Sequence, residues 1–582
     1  MLEAIKKLGE IKIKKEGKDV ENRLSILIQN PNQDGKYPKV LLAVFVKKDD
    51  GSYEYKEIRI EDFSLNKLEK YLYRRYSSNG PDFTLTSKIT EAEKFYNNKI
   101  KSWFRNYGNK NELFTKLNNA FHQWESEIRG DLEEKYKDAK ASLKKKGCFF
   151  TLAIEEKGQL RYIGDYDEFK KFFVDIVTEK YKEIEKEKQI YSICSICGRE
   201  KEVYGDALSK VFKFYTLDKP GYIAGGFRKE NAWKNAPLCL DCILKLEEGK
   251  KYLDENLKKR LGGHEYYLIP KFMIEKEENN QIIDTFFGKF PNPKDEEEIL
   301  EELANIQNIL TYNFLFFDSR NPQVFRIELY IEDVLPSRVK EIDDKKKEIE
   351  KIFENIKIKE DKYQNIKFSF RELRKFVPSQ KFYFEILYKI FKNENINREM
   401  IFSCFMEKIR EEFTKENYLT PLVLQAFISF LFFQKLNILY PKTEYYEEGG
   451  EFMNELEKSM EEFFNKYRYS DTFSQPIHKA IFLLGVLTQK LLDIQYAERK
   501  TTPFRKYLKG LRMSKEDIIE LFPRVRNKLD EYGKNYYRNL ETLISHYFCK
   551  AGREWKISLD EINFYFVLGM SLAEKVLEDL RI

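Results

Sequence analysis

Cys194-Ser195-Ile196-Cys197-Gly198 and, beyond the 41 residues 198–238, Cys239-Leu240-Asp241-Cys242 decide how this chain is read. Each cysteine pair has the two-residue gap that lets one turn present two thiolates to a tetrahedral metal. Gly198 stands where a knuckle needs a residue tolerant of positive φ. The second pair runs into Ile243-Leu244-Lys245-Leu246, whose apolar residues recur at helical spacing, so it is expected at a helix N-terminus, where the backbone dipole favours thiolates. A turn-borne pair plus a helix-borne pair is the arrangement of a treble-clef or ribbon-like site. Cys194, Cys197, Cys239 and Cys242 are therefore expected to hold structural Zn2+. The alternatives are two unrelated thiol pairs or two disulfides. Seven cysteines in 582 residues are too few for a secreted disulfide scaffold.

Outward from the cysteines the chain changes character. Before them, Glu10–Lys15, Leu24–Ile28, Val40–Val46 and Tyr53–Ile60 alternate as strands do, broken by Asn- and Gly-rich turns. Helical periodicity follows over 66–145, then a hairpin over 148–165 with Lys157-Gly158 at its tip, then an amphipathic helix over 165–188. Between the pairs a strand is expected at Val211–Asp218, followed by the loop 219–237. After them come strands at 266–274, 312–318 and 323–331, and helix nearly throughout from Val334. The expected fold class is α+β: an N-terminal mixed α/β region with a four-cysteine zinc-ribbon or treble-clef-like insert, then a mostly helical C-terminal bundle. Its divisions are 1–190 (α+β), 191–260 (zinc module with a basic Gly-rich loop), 261–450 (α+β to helical) and 451–582 (helical bundle).

The N-terminus lacks a signal-peptide core, and the most apolar stretches, Pro421–Phe433 and Ala480–Leu487, fall short of the ~20 residues a membrane helix needs. A cytoplasmic protein with no membrane partner is expected. The net charge of +6 rests on 103 basic and 97 acidic residues, so local clusters carry more information than the balance.

Motifs for catalysis are missing from the sequence. None of the four histidines, His122, His264, His478 and His546, is followed by Asp, and there is no Gly-Gly-Asp-Asp, P-loop or G-x-S-x-G. A four-thiolate site is closed and leaves no position for water. A binding protein, not an enzyme, is expected.

Two segments suit nucleic acid. The loop between the cysteine pairs combines glycines with Arg228, Lys229, Asn231, Trp233, Lys234 and Asn235, types that meet phosphates and base edges. It reads equally as a solvated loop whose Trp233 packs on the metal module. The second segment, Arg499–Lys528, has ten basic residues against three acids. Phe504, Leu508 and Leu511 fall at i, i+4, i+7 and are expected to face a core. Arg505, Lys509 and Arg512 repeat that spacing as a basic ridge, flanked by Arg499, Lys500 and Lys506. Such a ridge suits salt-sensitive phosphate tracking, with a merely solvated face as the alternative.

Two ordered stretches resemble one family. CSICGRE (194–200), VFKFYTLDKPGYIAGGF (211–227) and WKNAPLCLDCILKLEEGKKYL (233–253) form the first. FLLGVLTQKLLDIQYAERKTTPFRKYLKGLRM (482–513), YGKNYYRNLETLISHYF (532–548) and INFYFVLGMSLAEK (562–575) form the second. Both are similar to the large subunit of type I-B CRISPR interference complexes (Cascade). The resemblance implies a non-catalytic subunit of a crRNA-guided complex that binds the crRNA 5′ handle and double-stranded target DNA. It also implies recognition of the protospacer-adjacent motif, R-loop stabilisation along the displaced strand, and recruitment of a separate nuclease-helicase. Its implied partners include the backbone and small subunits, the latter resembling the C-terminal helical part. No motif-reading residue carries over by position. A stand-alone zinc-containing nuclease and a zinc-stabilised protein-interaction scaffold remain the rival readings.

Glu448-Gly449-Gly450-Glu451-Phe452-Met453 can be encoded with a strong ribosome-binding sequence just upstream of an ATG. Met453 is therefore an expected internal start whose product, residues 453–582, equals the C-terminal helical block.

Overall fold

The computed structural model describes residues 1–76, 80–89, 91–141, 147–181, 190–217, 221, 223–224, 228–272, 310–320, 325–353, 367–441, 455–466, 472–534 and 536–580. They divide into two units, Met1–Glu255 and Asn256–Ile582.

In the first unit, β1 (Lys39–Lys47) and β2 (Tyr53–Asp62) form the hairpin that their alternation predicts. β1 is almost wholly buried, and β4 (Cys148–Glu156) pairs with it in parallel. β3 (Ser87–Ile89) and β5 (Gln159–Tyr162) flank β4, giving the order β2-β1-β4-β3 with β5 beside β4. Lys157 (φ 48°) and Gly158 (φ 78°) make the left-handed tip expected of the β4–β5 hairpin. Tyr71, Phe149 and Tyr162 fill the core on one face.

Two of the expected strands are helices. Glu10–Lys15 ends α1 (Leu2–Lys15), and Leu24–Ile28 lies mostly in α2 (Arg23–Leu27), capped by the Asn22 side chain. The alternation of Ile11 and Ile13 with lysines is local; Ala4, Ile5, Leu8 and Ile11 form a helical stripe, and all four are buried. Of the strand expected at 211–218, the described residues 211–217 form none: a short helix over Ala207–Val211 leads into irregular chain, and Asp218 lies outside the described residues. Phe212 and Leu217 are buried there without a strand's periodicity, whereas β7 (Glu200–Tyr204) was concealed by its charged residues.

α1 crosses α3 (Leu240–Tyr252) at a reciprocal glycine pair. A Cβ on Gly9 would sit 1.8 Å from Lys245 O, and one on Gly249 would sit 1.9 Å from Ile5 O. Lys245 also reaches Glu21 at 2.8 Å, and Lys12 reaches Glu248 at 3.4 Å. Gly9→Ala is expected to force these helices apart at a cost of about 3 kcal/mol, read as a lower melting temperature for this unit.

In the second unit, β9 (Lys258–Leu261), β10 (His264–Phe272), β11 (Leu310–Asp318) and β12 (Arg326–Val334) form an antiparallel sheet of order β12-β11-β10-β9. α4 (Gln380–Lys392) packs on β12. Beyond it α5 (Arg398–Thr414), α6 (Thr420–Lys435), α7 (Pro476–Arg499), α8 (Lys515–Glu531), α9 (Arg538–Ala551) and α10 (Leu559–Ser571) build the helical region. Ser514 caps α8 in the expected capping box with Asp517. α7 and α10 cross at Gly485 and Gly569, where a Cβ would fall 2.0 Å from Phe566 O and 1.8 Å from Phe482 O respectively.

The fold is thus α+β, with sheets toward the N-terminus, a four-cysteine cluster and a mostly helical C-terminal region. Among the described residues no helix is long and apolar enough to cross a membrane.

Candidate metal centre and nucleic-acid face

The thiols converge from two turns. β6 (Tyr191–Ile193) and β7 form a hairpin whose tip is the first pair. Cys194 N donates to Arg199 O at 3.0 Å and Gly198 N to Cys194 O at 2.9 Å, with Gly198 at φ +66° as a knuckle requires. β8 (Leu238–Cys239) pairs with β7 and delivers Cys239 to the N-cap of α3, so Cys242 lies in the first helical turn. Cys239 N donates to Cys194 Sγ at 3.4 Å.

All four Sγ atoms lie within 4.8 Å of one another, and Cys197 and Cys239 are 3.8 Å apart. A tetrahedral thiolate site with metal–sulfur bonds of about 2.3 Å needs sulfurs about 3.8 Å apart, whereas a disulfide needs about 2 Å. Every cysteine is free, which removes the two-disulfide alternative. Cys194, Cys239 and Cys242 are buried, and Cys197 is partly exposed.

The thiols are electrostatically incompatible with one another as they stand. Thiol donors Cys239 and Cys242 pull the Cys194 pKa well below its ordinary value. Hydrogen bonding to Cys194 pushes Cys239 up to about 11 and Cys242 upward as well. One thiolate forms easily and the next is opposed by it; a bound cation removes that opposition. The donor set thus fits a structural metal. Asp241, between the helix-borne ligands, receives Arg23 Nε at 2.6 Å and Lys201 Nζ at 2.7 Å. Burial opposes its charge, but these two cations hold its pKa below the usual range.

The loop residues have divided roles. Arg228 and Lys234 are exposed; the Lys229 side chain lies outside the described residues, as do Gly225 and Gly226. Asn231 N donates to Arg228 O at 2.9 Å. Trp233 is half-buried, and its backbone presses on Gly205, where a Cβ would fall 2.3 Å from Trp233 Cα. Lys234 Nζ lies 5.6 Å from the Trp233 ring centroid. Asn235 Oδ1 accepts from Ala224 N at 2.6 Å, closing the loop on itself. Trp233 and Asn235 are thus engaged in holding the loop, and Arg228 and Lys234 are its outward cations.

The basic segment is not the regular helix its periodicity implies. Phe504, Leu508 and Leu511 are buried as expected, but the helical turns over Pro503–Leu511 break at Lys509, Gly510 and Leu511, all left-handed (φ 47°, 61° and 61°). Arg505 turns inward: it donates to Phe413 O at 2.7 Å, lies 3.9 Å from the Phe413 ring, and its pKa is lowered by burial. Lys509 is paired with Asp517. Arg499, Lys500, Lys506 and Arg512 remain exposed, with no carboxylate partner among the described residues.

Tyrosines that the charge pattern does not reveal accompany these cations. Arg499 sits 5.1 Å from the Tyr532 ring, Lys500 5.7 Å from Tyr496 and Lys506 5.1 Å from Tyr507. Tyr496 is 58% and Tyr507 37% exposed, enough to offer ring faces as well as hydroxyls. The one sequence signal that could have found them is adjacency to lysine, as in Lys506-Tyr507. Cations for phosphates beside rings for bases are what a single strand needs.

Three models of one family match the chain in order. They describe CRISPR-associated protein TM1802 (cas_TM1802): its N-terminal domain over residues 1–175, its central domain over 191–334 and its C-terminal domain over 362–579. The four cysteines fall in the central match and the basic segment in the C-terminal one. No curated protein matches the chain.

Proposed function

The chain belongs to the CRISPR-associated TM1802 family, and from that premise we propose that it is the non-catalytic large subunit of a type I-B crRNA-guided interference complex (Cascade). In this reading it binds the crRNA 5′ handle and target DNA, recognises the protospacer-adjacent motif in the duplex, stabilises the R-loop and recruits a separate nuclease-helicase. Guide pairing supplies sequence recognition, so the protein needs only a short-motif reader and backbone contacts.

The observation that carries this reading is the exposed cation–tyrosine face: Arg499 lies beside Tyr532, Lys500 beside Tyr496 and Lys506 beside Tyr507, with Arg512 a further exposed cation of the same segment. It suits strand binding without sequence preference. The metal is proposed to be Zn2+ in a closed, structural role, fixing a loop whose Arg228 and Lys234 face outward. The C-terminal helices are proposed to resemble the small subunit and to be made separately from Met453, a residue that lies outside the described set. Met453→Leu abolishes the short product if this is right; an unchanged short band refutes it.

The test is co-purification with the backbone subunit and its crRNA, then duplex binding across a randomised flanking trinucleotide. Lys506→Glu with Arg512→Glu is expected to weaken target binding at least about tenfold and to flatten its salt dependence by about two units of log–log slope. Metal-dependent DNA cleavage lost with one carboxylate change favours the nuclease reading. Salt-independent behaviour without binding to the crRNA-loaded backbone favours the protein scaffold.

A further inference from the structure

The second unit has a charged cleft that the guided-complex reading does not use. It opens beside β9, where β10 begins and β11 ends, and has a volume of about 410 Å³, in the range of small-ligand sites. Four cations line it, Lys258, Arg260, Arg320 and Arg374, with three acids, Glu265, Asp318 and Glu328.

The acids do not neutralise it. Glu265 serves two cations at once, Lys258 at 3.1 Å and Arg260 at 3.3 Å. Asp318 is spent on its neighbour Arg320, whose Nε and Nη2 it receives at 2.9 and 2.5 Å. Arg374 is exposed and has no carboxylate partner among the described residues. A guanidinium open to the cleft is a ready fork for a phosphate.

Part of the lining accepts rather than donates. Glu328 Oε1 is fixed by Gln380 Nε2 at 2.6 Å, and its Oε2 lies 3.6 Å from His264 Nδ1. The His264 ring is clasped by Tyr383 and Phe384, and its Nε2 has no hydrogen-bond partner among the described residues. Burial pushes His264 down to about 4, with Arg374 and Arg320 adding to it, so the imidazole is neutral at pH 7. A carboxylate beside a neutral imidazole is an acceptor for hydroxyls, as carboxylates are for ribose in nucleotide sites.

We propose that this cleft binds a phosphorylated ribonucleotide, with its phosphate on Arg374 and its ribose hydroxyls toward Glu328, taken either as a free mononucleotide or as the phosphorylated terminal nucleotide of an RNA. An inorganic phosphate alone would leave the hydroxyl-accepting groups unmet. The site is independent of the cation–tyrosine face, and its occupancy does not require a guide-loaded assembly.

The experiment uses the full chain with AMP, adenosine, inorganic phosphate, and an eight-nucleotide RNA carrying either a 5′-phosphate or a 5′-hydroxyl, measured by calorimetry. AMP is expected to bind at least about tenfold more tightly than adenosine or phosphate, and Arg374→Glu to abolish that advantage. Arg374 is exposed, so this variant keeps the wild-type melting temperature; Glu328→Gln, measured alongside, weakens AMP but not inorganic phosphate. If AMP fails while the 5′-phosphorylated RNA beats its hydroxyl counterpart and loses that advantage in Arg374→Glu, the source is an RNA end and the site stands. The proposal is overturned if Arg374→Glu binds AMP like the wild type, if phosphate binds as well as AMP, or if neither AMP nor the 5′-phosphate is preferred.

Discussion

Cys239→Ser is expected to empty the metal centre and unfold the module around it, and this is among the two largest effects any single substitution should have here. Cys239 performs three tasks: its thiol is one of four within 4.8 Å, its backbone N donates to Cys194 Sγ, and it closes β8 onto β7 at the N-cap position of α3. Binding of a structural zinc contributes on the order of 10 kcal/mol to small thiolate modules, so loss of one ligand removes several. Metal analysis should fall from about one zinc per chain toward none, with hydrogen exchange rising across 191–204 and 238–242. The loss should stay local. α3 is also held on α1 by the Gly9–Gly249 crossing and by the Lys245–Glu21 and Lys12–Glu248 pairs, none of which needs metal. Far-UV circular dichroism should therefore change little. Acid should mimic the substitution in the wild type, because protons compete with the metal for the thiolates. Full zinc content and an unchanged melting curve in the variant would mean that the thiols are merely neighbours.

The parts of this molecule legible from sequence are those where a short-range rule sufficed. Cysteine spacing located the four-thiol cluster because two-residue gaps on turns bring thiols to the distances a tetrahedral ion needs. The β1–β2 and β4–β5 hairpins, β10, β11 and the Ser514 cap followed from alternation and turn chemistry. Longer-range causes were hidden. α1 looked like a strand at its end because its glycine and lysines obscure the stripe that Ala4, Ile5 and Leu8 begin, and that glycine exists for a partner more than two hundred residues away. The basic ridge shows the same limit. Periodicity named the buried residues Phe504, Leu508 and Leu511, but not the left-handed break at Lys509–Leu511. Nor could it show that Arg505 is drawn beneath Phe413, which lies ninety-two positions earlier. The exposure of the tyrosines and the Arg374 cleft depend on what surrounds them in space, which no local pattern encodes.

Arg398→Ala is expected to destabilise the second unit by about 3–5 kcal/mol, because it strands a buried carboxylate. Glu561 Oε1 receives Arg398 Nη2 at 2.5 Å and lies 3.1 Å from His478 Nε2, so one oxygen ties α5, α7 and α10 together. All three residues are buried, and His478 stacks on Tyr565 at 4.2 Å. Glu561 also sits in the first turn of α10, where Ser558 accepts its N–H and the helix dipole favours its charge. Burial opposes that charge, yet His478 and Arg398 hold the Glu561 pKa below its ordinary value. The imidazole is held in the opposite sense: burial lowers the His478 pKa, Glu561 opposes the shift, and Arg398 adds to it. Both folded-state pKa values lie below the unfolded ones, so in each case the unfolded chain takes up protons first. Wild-type stability is therefore lost as pH falls below about 6.5 for His478 and further below about 4.5 for Glu561. Without Arg398 the imidazole becomes easier to protonate, and His478 can then supply the positive charge that the substitution removed. The penalty of Arg398→Ala should accordingly be greatest near pH 8 and shrink toward pH 5.5, measured by chemical denaturation at each pH. Adding Glu561→Gln should recover much of the loss at pH 8, since it removes the stranded charge. A penalty that is constant across this range, or no recovery in the double variant, would mean that Arg398 acts through its packing on Phe402 and Phe430 and not through the shared carboxylate.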